Sequence, residues 1–221
     1  VGYENQKLTV KNSEGLLVNL FENNYENLVQ VGSRTSTQTT LSSAVPITIF
    51  KAADLKQTGQ ISLDKMLMYK EASFNISQHP LADGTSHFDP ADLRGLGPSR
   101  TLVLINGKRK NSSALLYTKD TYAKGEVGVD LKSRPASEID RVEILRDGAS
   151  AQYGSDAIAG VINVILKKNI EYSNLNFFGG ATTKGDGVNY GFNLNTGSNL
   201  GRKGFLNLTV DFGNQKSTNR A

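Results

Sequence analysis

The chain predicts an α+β domain, short strands with short helices among them, followed by antiparallel strands of a different polarity pattern. Three observations carry this. Short apolar runs punctuated by Gly, Pro, Asn and Asp recur across residues 44–168, the pattern of buried strands joined by tight turns. Two stretches near residues 52–70 instead space their apolar residues for one face of a helix. Beyond residue 169 the period becomes two: Val188, Tyr190, Phe192 and Leu194 alternate with Asn189, Gly191, Asn193 and Asn195, then Leu206, Leu208, Val210 and Phe212 alternate with Asn207, Thr209, Asp211 and Gly213. Leu175, Phe177, Gly179 and Ala181 form a weaker copy, and residues 184–187 and 198–203 supply the turns. Such a pattern fits a transmembrane β-barrel or a soluble antiparallel sheet with one wet face.

The elements follow in order. Residues 1–27 hold two strand-like runs, VGYENQKLTV and GLLVNLFENN, separated by the turn composition Asn12, Ser13, Glu14 and Gly15. They read as the last hairpin of an upstream domain or as an ordinary hairpin. Leu28, Val29, Gln30, Val31 and Gly32 make a short extended segment, and a Ser/Thr/Gln-rich stretch runs on to Ser43. A tethered docking strand needs that arrangement, and so does a first domain strand followed by a linker. Pro46, Ile47, Thr48, Ile49 and Phe50 read as a strand, and residues 52–56 as a short helix stopped near Gly59. Ser62 is placed to cap a second helix in which Leu63, Met66 and Leu67 share a face and Asp64 occupies the first turn. Met66 and Met68 are assigned to core filling.

A polar segment with His79, Asp83, His87 and Asp89 precedes the block DLRGLGPSRTLVLINGKR, residues 92–109. Residues 102–105 form its strand, Asn106 and Gly107 its turn, and Lys108, Arg109 and Lys110 read as solvated. The irregular stretch 110–128 carries Tyr117, Asp120 and Tyr122. In residues 141–168, RVEILRDGASAQYGSDAIAGVINVILKK, Val142, Ile144 and Leu145 make a strand that Asp147 and Gly148 break. A compact Ala/Ser/Gly segment with Tyr153 follows, and Val161, Ile162, Val164, Ile165 and Leu166 resume extended structure. Gly148, Gly154 and Gly160 mark the bends. Glu138, Asp140 and Glu143 beside Arg141 and Arg146 read as structural ion pairs.

Taken together, the blocks at 92–109 and 141–168 resemble the plug domain of TonB-dependent outer-membrane receptors. The family pattern is an RG-containing strand, an apolar strand ending in an Asp-Gly or Asn-Gly turn with basic residues after it, and a run of the E-V-L…Y-G type ending in G-V-I-N-I. Its residues here are Arg94 and Gly95; Asn106 and Gly107; then Glu143, Arg146, Gly148, Tyr153, Gly154 and Asn163. Asn106 stands where Asp is common, and both suit a tight turn. The resemblance covers about residues 28–168, and its ordered motifs are more specific together than singly. It implies an α+β plug with a small mixed sheet and short helices over 44–168, and the opening antiparallel strands of a transmembrane β-barrel over 169–221. Three strands cannot close a barrel, so further strands are expected beyond residue 221.

By the same resemblance, residues 28–43 are a segment similar to the TonB box with its linker. Leu28, Val29, Gln30, Val31 and Gly32 would pair edge-to-edge with periplasmic TonB, itself energised by an inner-membrane complex. Residues 1–27 are similar to the end of the carboxypeptidase-regulatory-like β-sandwich that precedes the plug in many Bacteroidetes-type receptors. His79, Asp83, His87, Tyr117 and Tyr122 would stand on outward-facing plug loops that meet an extracellular ligand. The implied function is import of a nutrient across the outer membrane, an iron complex such as a ferric siderophore foremost, with the plug inside the barrel facing the periplasm. The rival is a soluble periplasmic interaction or signalling module on a plug-like fold.

Composition removes other classes. The absence of cysteine excludes disulfides, thiolate zinc sites and a cysteine nucleophile. The 25 basic residues are dispersed among 21 acids without an aromatic-basic platform, so the net charge of +4 gives no nucleic-acid surface. No apolar run approaches the roughly 20 residues of a spanning helix. No signal peptide or initiator Met is visible, as in a processed or trimmed chain. GLGPSR lacks the lysine of a phosphate cradle, and His79 and His87 lack the spacing of helical zinc ligands. A metal-dependent enzyme centred on those histidines is the remaining catalytic reading; neither cofactor nor resident metal is implied.

Overall fold

The structure is a computed structural model, and it describes residues 2–3, 22–23, 28–29, 31, 38–39, 46–76, 90–118, 123–146, 149–168, 172–201 and 204–218. Four two-residue strands come first: β1 (Gly2–Tyr3), β2 (Glu22–Asn23), β3 (Leu28–Val29) and β4 (Gln38–Thr39). β5 (Ile47–Lys51), α1 (Ala52–Lys56), α2 (Leu63–Lys70), β6 (Phe74–Asn75) and β7 (Asp92–Leu93) follow. Next are β8 (Thr101–Ile105), β9 (Lys108–Arg109), β10 (Ile139–Leu145), α3 (Ala149–Tyr153) and β11 (Gly160–Leu166). The chain ends on β12 (Asn174–Gly180), β13 (Asn189–Leu200) and β14 (Gly204–Gln215).

The central sheet is mixed, in the order β5-β10-β11-β8-β9, with β11 parallel to β8 and the other neighbours antiparallel. Its middle strands are near-continuous apolar runs because both faces are covered. On one face, Val103, Val142, Ile144, Ile162 and Val164 pack under Leu55, Leu63, Met66 and Leu67 of the two helices. On the other, Leu102, Leu104, Leu145 and Val161 pack against Val31, Ala149 and Ala157. Each fully buried branched side chain contributes roughly 1.5–3 kcal/mol relative to exposure.

Local chemistry sets the element ends. The Lys51 amide donates to Asp54 Oδ2 at 3.3 Å at the start of α1, and Gly59, at φ +69°, lies past its end. Ser62 holds the N-cap position of α2 without a side-chain capping bond; its backbone bridges to Pro135. Met66 joins the core, whereas Met68 is 45% exposed, a correction to its assignment as core filling. Residues at α2 positions 63, 66 and 67 face inward, and position 68 lies on the far side of the helix. Asn106 and Gly107 both have positive φ, +50° and +76°, as a two-residue turn between the β8 and β9 strands requires.

β12, β13 and β14 form a separate antiparallel meander. In β13 the ladder continues through Ser198 to Leu200, so the turn is shorter than the sequence suggests and begins at Gly201. Leu175, Leu194 and Val210 stand in register as one apolar row, and Phe177, Phe192 and Phe212 as the next. The Phe192 and Phe212 rings stack with centroids 5.8 Å apart. The opposite face is a ladder of amides and hydroxyls: Asn176 Nδ2 donates to Asn193 Oδ1 at 2.9 Å, and Asn195 Nδ2 to Asn207 Oδ1 and Thr209 Oγ1, both at 2.7 Å.

Candidate coupling site

Strand pairing holds Leu28 and Val29, and burial of their side chains holds Val29 and Val31. β3 pairs antiparallel with β4, Leu28 opposite Thr39 and Val29 opposite Gln38. Val29 and Val31 are buried, and Val31 enters the second core cluster. Drawing both valines into water costs about 1.5–3 kcal/mol each. The Val31 amide donates to Glu143 Oε2 at 3.2 Å. Gln30 and Gly32 lie outside the described residues.

Glu143 sits in the middle of β10 and is wholly buried. Register places it opposite Asn163 of β11, whose Nδ2 donates to Glu143 Oε2 at 3.1 Å. Arg141 Nε donates to Oε1 at 3.0 Å, with Arg141 also paired to Asp140 at 3.0 Å. Asn163 Oδ1 accepts from the Gly107 amide at 3.0 Å, and Asn106 Oδ1 from the Leu166 amide at 2.9 Å. The β8–β9 turn is thereby fastened to the end of β11.

The remaining motif residues brace strand ends. Arg94 and Gly95 lie not in a strand but in the turn after β7, at φ +60° and +68°. Arg94 Nη2 donates to the Arg146 carbonyl. Arg146 Nη1 meets Glu71 Oε1 at 3.1 Å, and its Nη2 meets Thr48 Oγ1 at 2.6 Å. The Arg146–Glu71 pair spans 75 residues rather than the local cluster the sequence suggested, whereas Glu138 pairs locally with Arg134, at 3.3 Å. The Tyr153 carbonyl accepts from Arg109 Nη2 at 3.2 Å, and Arg109 also pairs with Asp156, so Arg109 is fastened rather than merely solvated. Gly154 turns at φ +91°. At Gly160, φ +141°, a Cβ would stand 2.6 Å from the Leu145 carbonyl oxygen, so only glycine lets β11 start there. Gly148 lies outside the described residues.

Of the loop residues assigned to ligand, Tyr117 is described. It is 2% exposed, with its amide bonded to the Glu126 carbonyl at 3.1 Å, and as the segment lies it presents almost no surface. His79, Asp83, His87 and Tyr122 lie outside the described residues. Near Tyr117, Glu126 accepts from the Ser99 amide at 3.2 Å and from Arg100 Nη1 at 3.0 Å. Burial pushes the Glu126 carboxyl up, but the hydrogen bonds from Ser99 and Arg100 and the charge of Arg100 outweigh it and leave the pKa lowered.

Sequence reasoning missed the role of Glu143. The signal was present: Glu143 stands inside the apolar run 142–145 and Asn163 inside the run 161–166. Polar groups in strands buried on both faces must find one another or the backbone.

β13 and β14 lie against the turn at Ala136–Glu138 with their polar face toward the domain. A cleft between them and the α1–α2 connection is lined by Gln60, Lys65, Lys132, Asn189, Asp211 and Asn214. Asn195 on that face is wholly buried while Phe177 on the other is 77% exposed. No helix among the described residues is long and apolar enough to cross a membrane. A mixed-sheet domain leading into strands with apolar faces outward defines a plug followed by the first strands of a membrane β-barrel.

The TonB-dependent Receptor Plug Domain family model matches residues 39–161, more than half of the chain, and the chain belongs to that family. It is 28% identical to the ferric enterobactin receptor PirA of Pseudomonas aeruginosa over 149 residues, 65% of this chain and 20% of that protein. The probable TonB-dependent siderophore receptor PirA of Acinetobacter baumannii is 44% identical over 80 residues, 35% of this chain and 10% of that one. The crystal structure of the ferric enterobactin receptor PfeA in complex with BCV-L6 shares the fold at a TM-score of 0.60 and 22% identity, over 77% of this chain and 25% of that one. The chain spans a fifth or less of the length of these two curated relatives.

Proposed function

We propose that this chain is the N-terminal part of an outer-membrane receptor that binds a ferric siderophore or similar iron complex and imports it to the periplasm with energy delivered through TonB. The observation that carries the reading is the inverted polarity of β12–β14, with leucine and phenylalanine rows outward and the asparagine ladder toward the plug. That arrangement is low in energy where lipid lies outside and polar groups inside. A soluble module would leave both rows in water, which makes it the weaker reading. The siderophore class is supported by relatives named as ferric enterobactin and siderophore receptors. Ligand is met by plug loops carrying His79, Asp83, His87 and Tyr122, with the buried Tyr117 anchoring its segment. TonB adds a strand to residues 28–32, and main-chain hydrogen bonds supply most of the affinity of such docking. The work is transport, without bond chemistry in the plug.

Replacing Val29 by proline removes an amide from that strand. In cells making the full-length receptor, uptake of radiolabelled ferric enterobactin is expected to fall to background while surface binding stays at the parental level. Uptake that survives Val29→Pro would show that TonB engages another segment. Absent binding in the parent would rule out this ligand.

A further inference from the structure

Glu143 has its carboxylate engaged from two directions. Oε1 faces Arg141 on its own strand, whereas Oε2 is shared by the Asn163 amide and the Val31 backbone amide, 112 residues upstream of Glu143. A carboxylate removed from water has to be met by donors, and losing one leaves a costly unsatisfied charge. The Val31 amide is such a donor only while residues 28–31 lie against the plug. Asn163 holds the acceptor in position, because its Oδ1 is tied to the Gly107 amide at 3.0 Å and its Nδ2 is thereby directed at Glu143. The Val31 side chain closes the same contact from the apolar side, among Leu102, Leu104, Leu145 and Val161.

We propose that Glu143 is the latch of the N-terminal segment: its carboxylate, positioned by Asn163, grips the Val31 amide and keeps residues 28–31 out of reach of a strand-adding partner. The proposal rests on the reading that TonB takes this segment, and names the residue that decides when it can be taken. A strand whose valines are buried and one of whose edges is already taken by β4 has to be drawn out before both its edges and its side chains are open to a partner. Release therefore has to precede docking, and the Glu143 contact sets how often release occurs.

In a full-length receptor freed of any cysteine outside these 221 residues, which have none, Val29→Cys places a single thiol at a buried position of the segment. Its rate of reaction with a fluorescent maleimide, in outer-membrane vesicles without ligand or TonB, reads the population of the released state. Glu143→Gln weakens the acceptor at constant shape; Val31→Pro deletes the donor and part of the Val31 packing, and Val31→Ala, which keeps the amide, reads the packing alone. Glu143→Gln and Val31→Pro are each expected to raise the labelling rate at least tenfold, and the double variant of the two no further than the faster single one, as befits two halves of one contact. An unchanged rate in either single variant, or rates that multiply in the double, would overturn the latch. Labelling requires no transport, so a failed latch with intact uptake leaves the receptor reading standing. Labelling as expected with no uptake in the parent strikes that reading alone.

Discussion

The two sheets of this protein obey opposite rules of burial. In the plug sheet, Val142, Ile144, Ile162 and Val164 are hidden and exposed edges carry charge, as at Lys108 and Arg109. In the meander β12–β14, Leu175, Phe177, Leu206, Leu208 and Phe212 are exposed, and Asn195 of the asparagine ladder is buried. Both sheets carry apolar rows, so residue hydrophobicity alone does not decide which side of a strand is inside. The surrounding medium does: the plug folds as if water lay outside it, and the meander as if hydrocarbon did.

A charge placed in the plug core has the most severe consequence. Ile144 lies in the interior strand β10 with β5 and β11 on either flank, and Ile144→Asp places an unpaired carboxylate there. A cost of about 3–5 kcal/mol follows from an uncompensated buried charge. The plug is expected to become protease-sensitive in the full-length receptor; resistance equal to the parent would contradict the core assignment. Next in size, Val210→Arg puts a guanidinium in the outward row. Facing lipid near the bilayer midplane, it costs about 2–4 kcal/mol. Facing water, it costs almost nothing. Urea titration of the receptor folded into lipid vesicles separates the two, and an unchanged midpoint would remove the difference between the sheets.

Much of this was legible in the sequence, for reasons local to each element. Helix spacing places α1 and the buried face of α2, the Asn106 and Gly107 pair announces its own turn, and strict alternation marks β13 and β14. What the sequence could not show was pairing. Nothing local says that β11 runs parallel to β8 or that β10 lies between β5 and β11, because register is fixed by contacts far apart in the chain. The candidate site was half visible for the same reason. Val29 and Val31 stood out as an extended apolar segment, but their restraint comes from Glu143, which the sequence suggested was a local ion-pair partner. It does pair with Arg141, and the Val31 contact appears only once the chain has folded back on itself.

The smallest expected effect separates the polar contacts of the two regions. On the plug, the charged group Glu126 holds the Ser99 amide and Arg100, whereas the inward face of the meander is bonded mainly through uncharged amides and hydroxyls. The lowered pKa of Glu126 means that the unfolded form binds its proton more readily than the folded one. Its stabilisation is therefore present at neutral pH, begins to fade below the ordinary glutamate pKa, and is lost as pH falls through the depressed folded value. Arg100 is partly solvent-exposed, so the contribution is on the order of 1 kcal/mol or less. Hydrogen exchange at the Ser99 amide, normalised to its intrinsic rate, is expected to lose protection through that acidic window. Glu126→Gln should flatten the profile, while protection of the Asn195 amide holds steady across the same range. Equal acid sensitivity at both amides would mean that the two regions lose structure together, and that the charge on Glu126 is not what governs the plug contact.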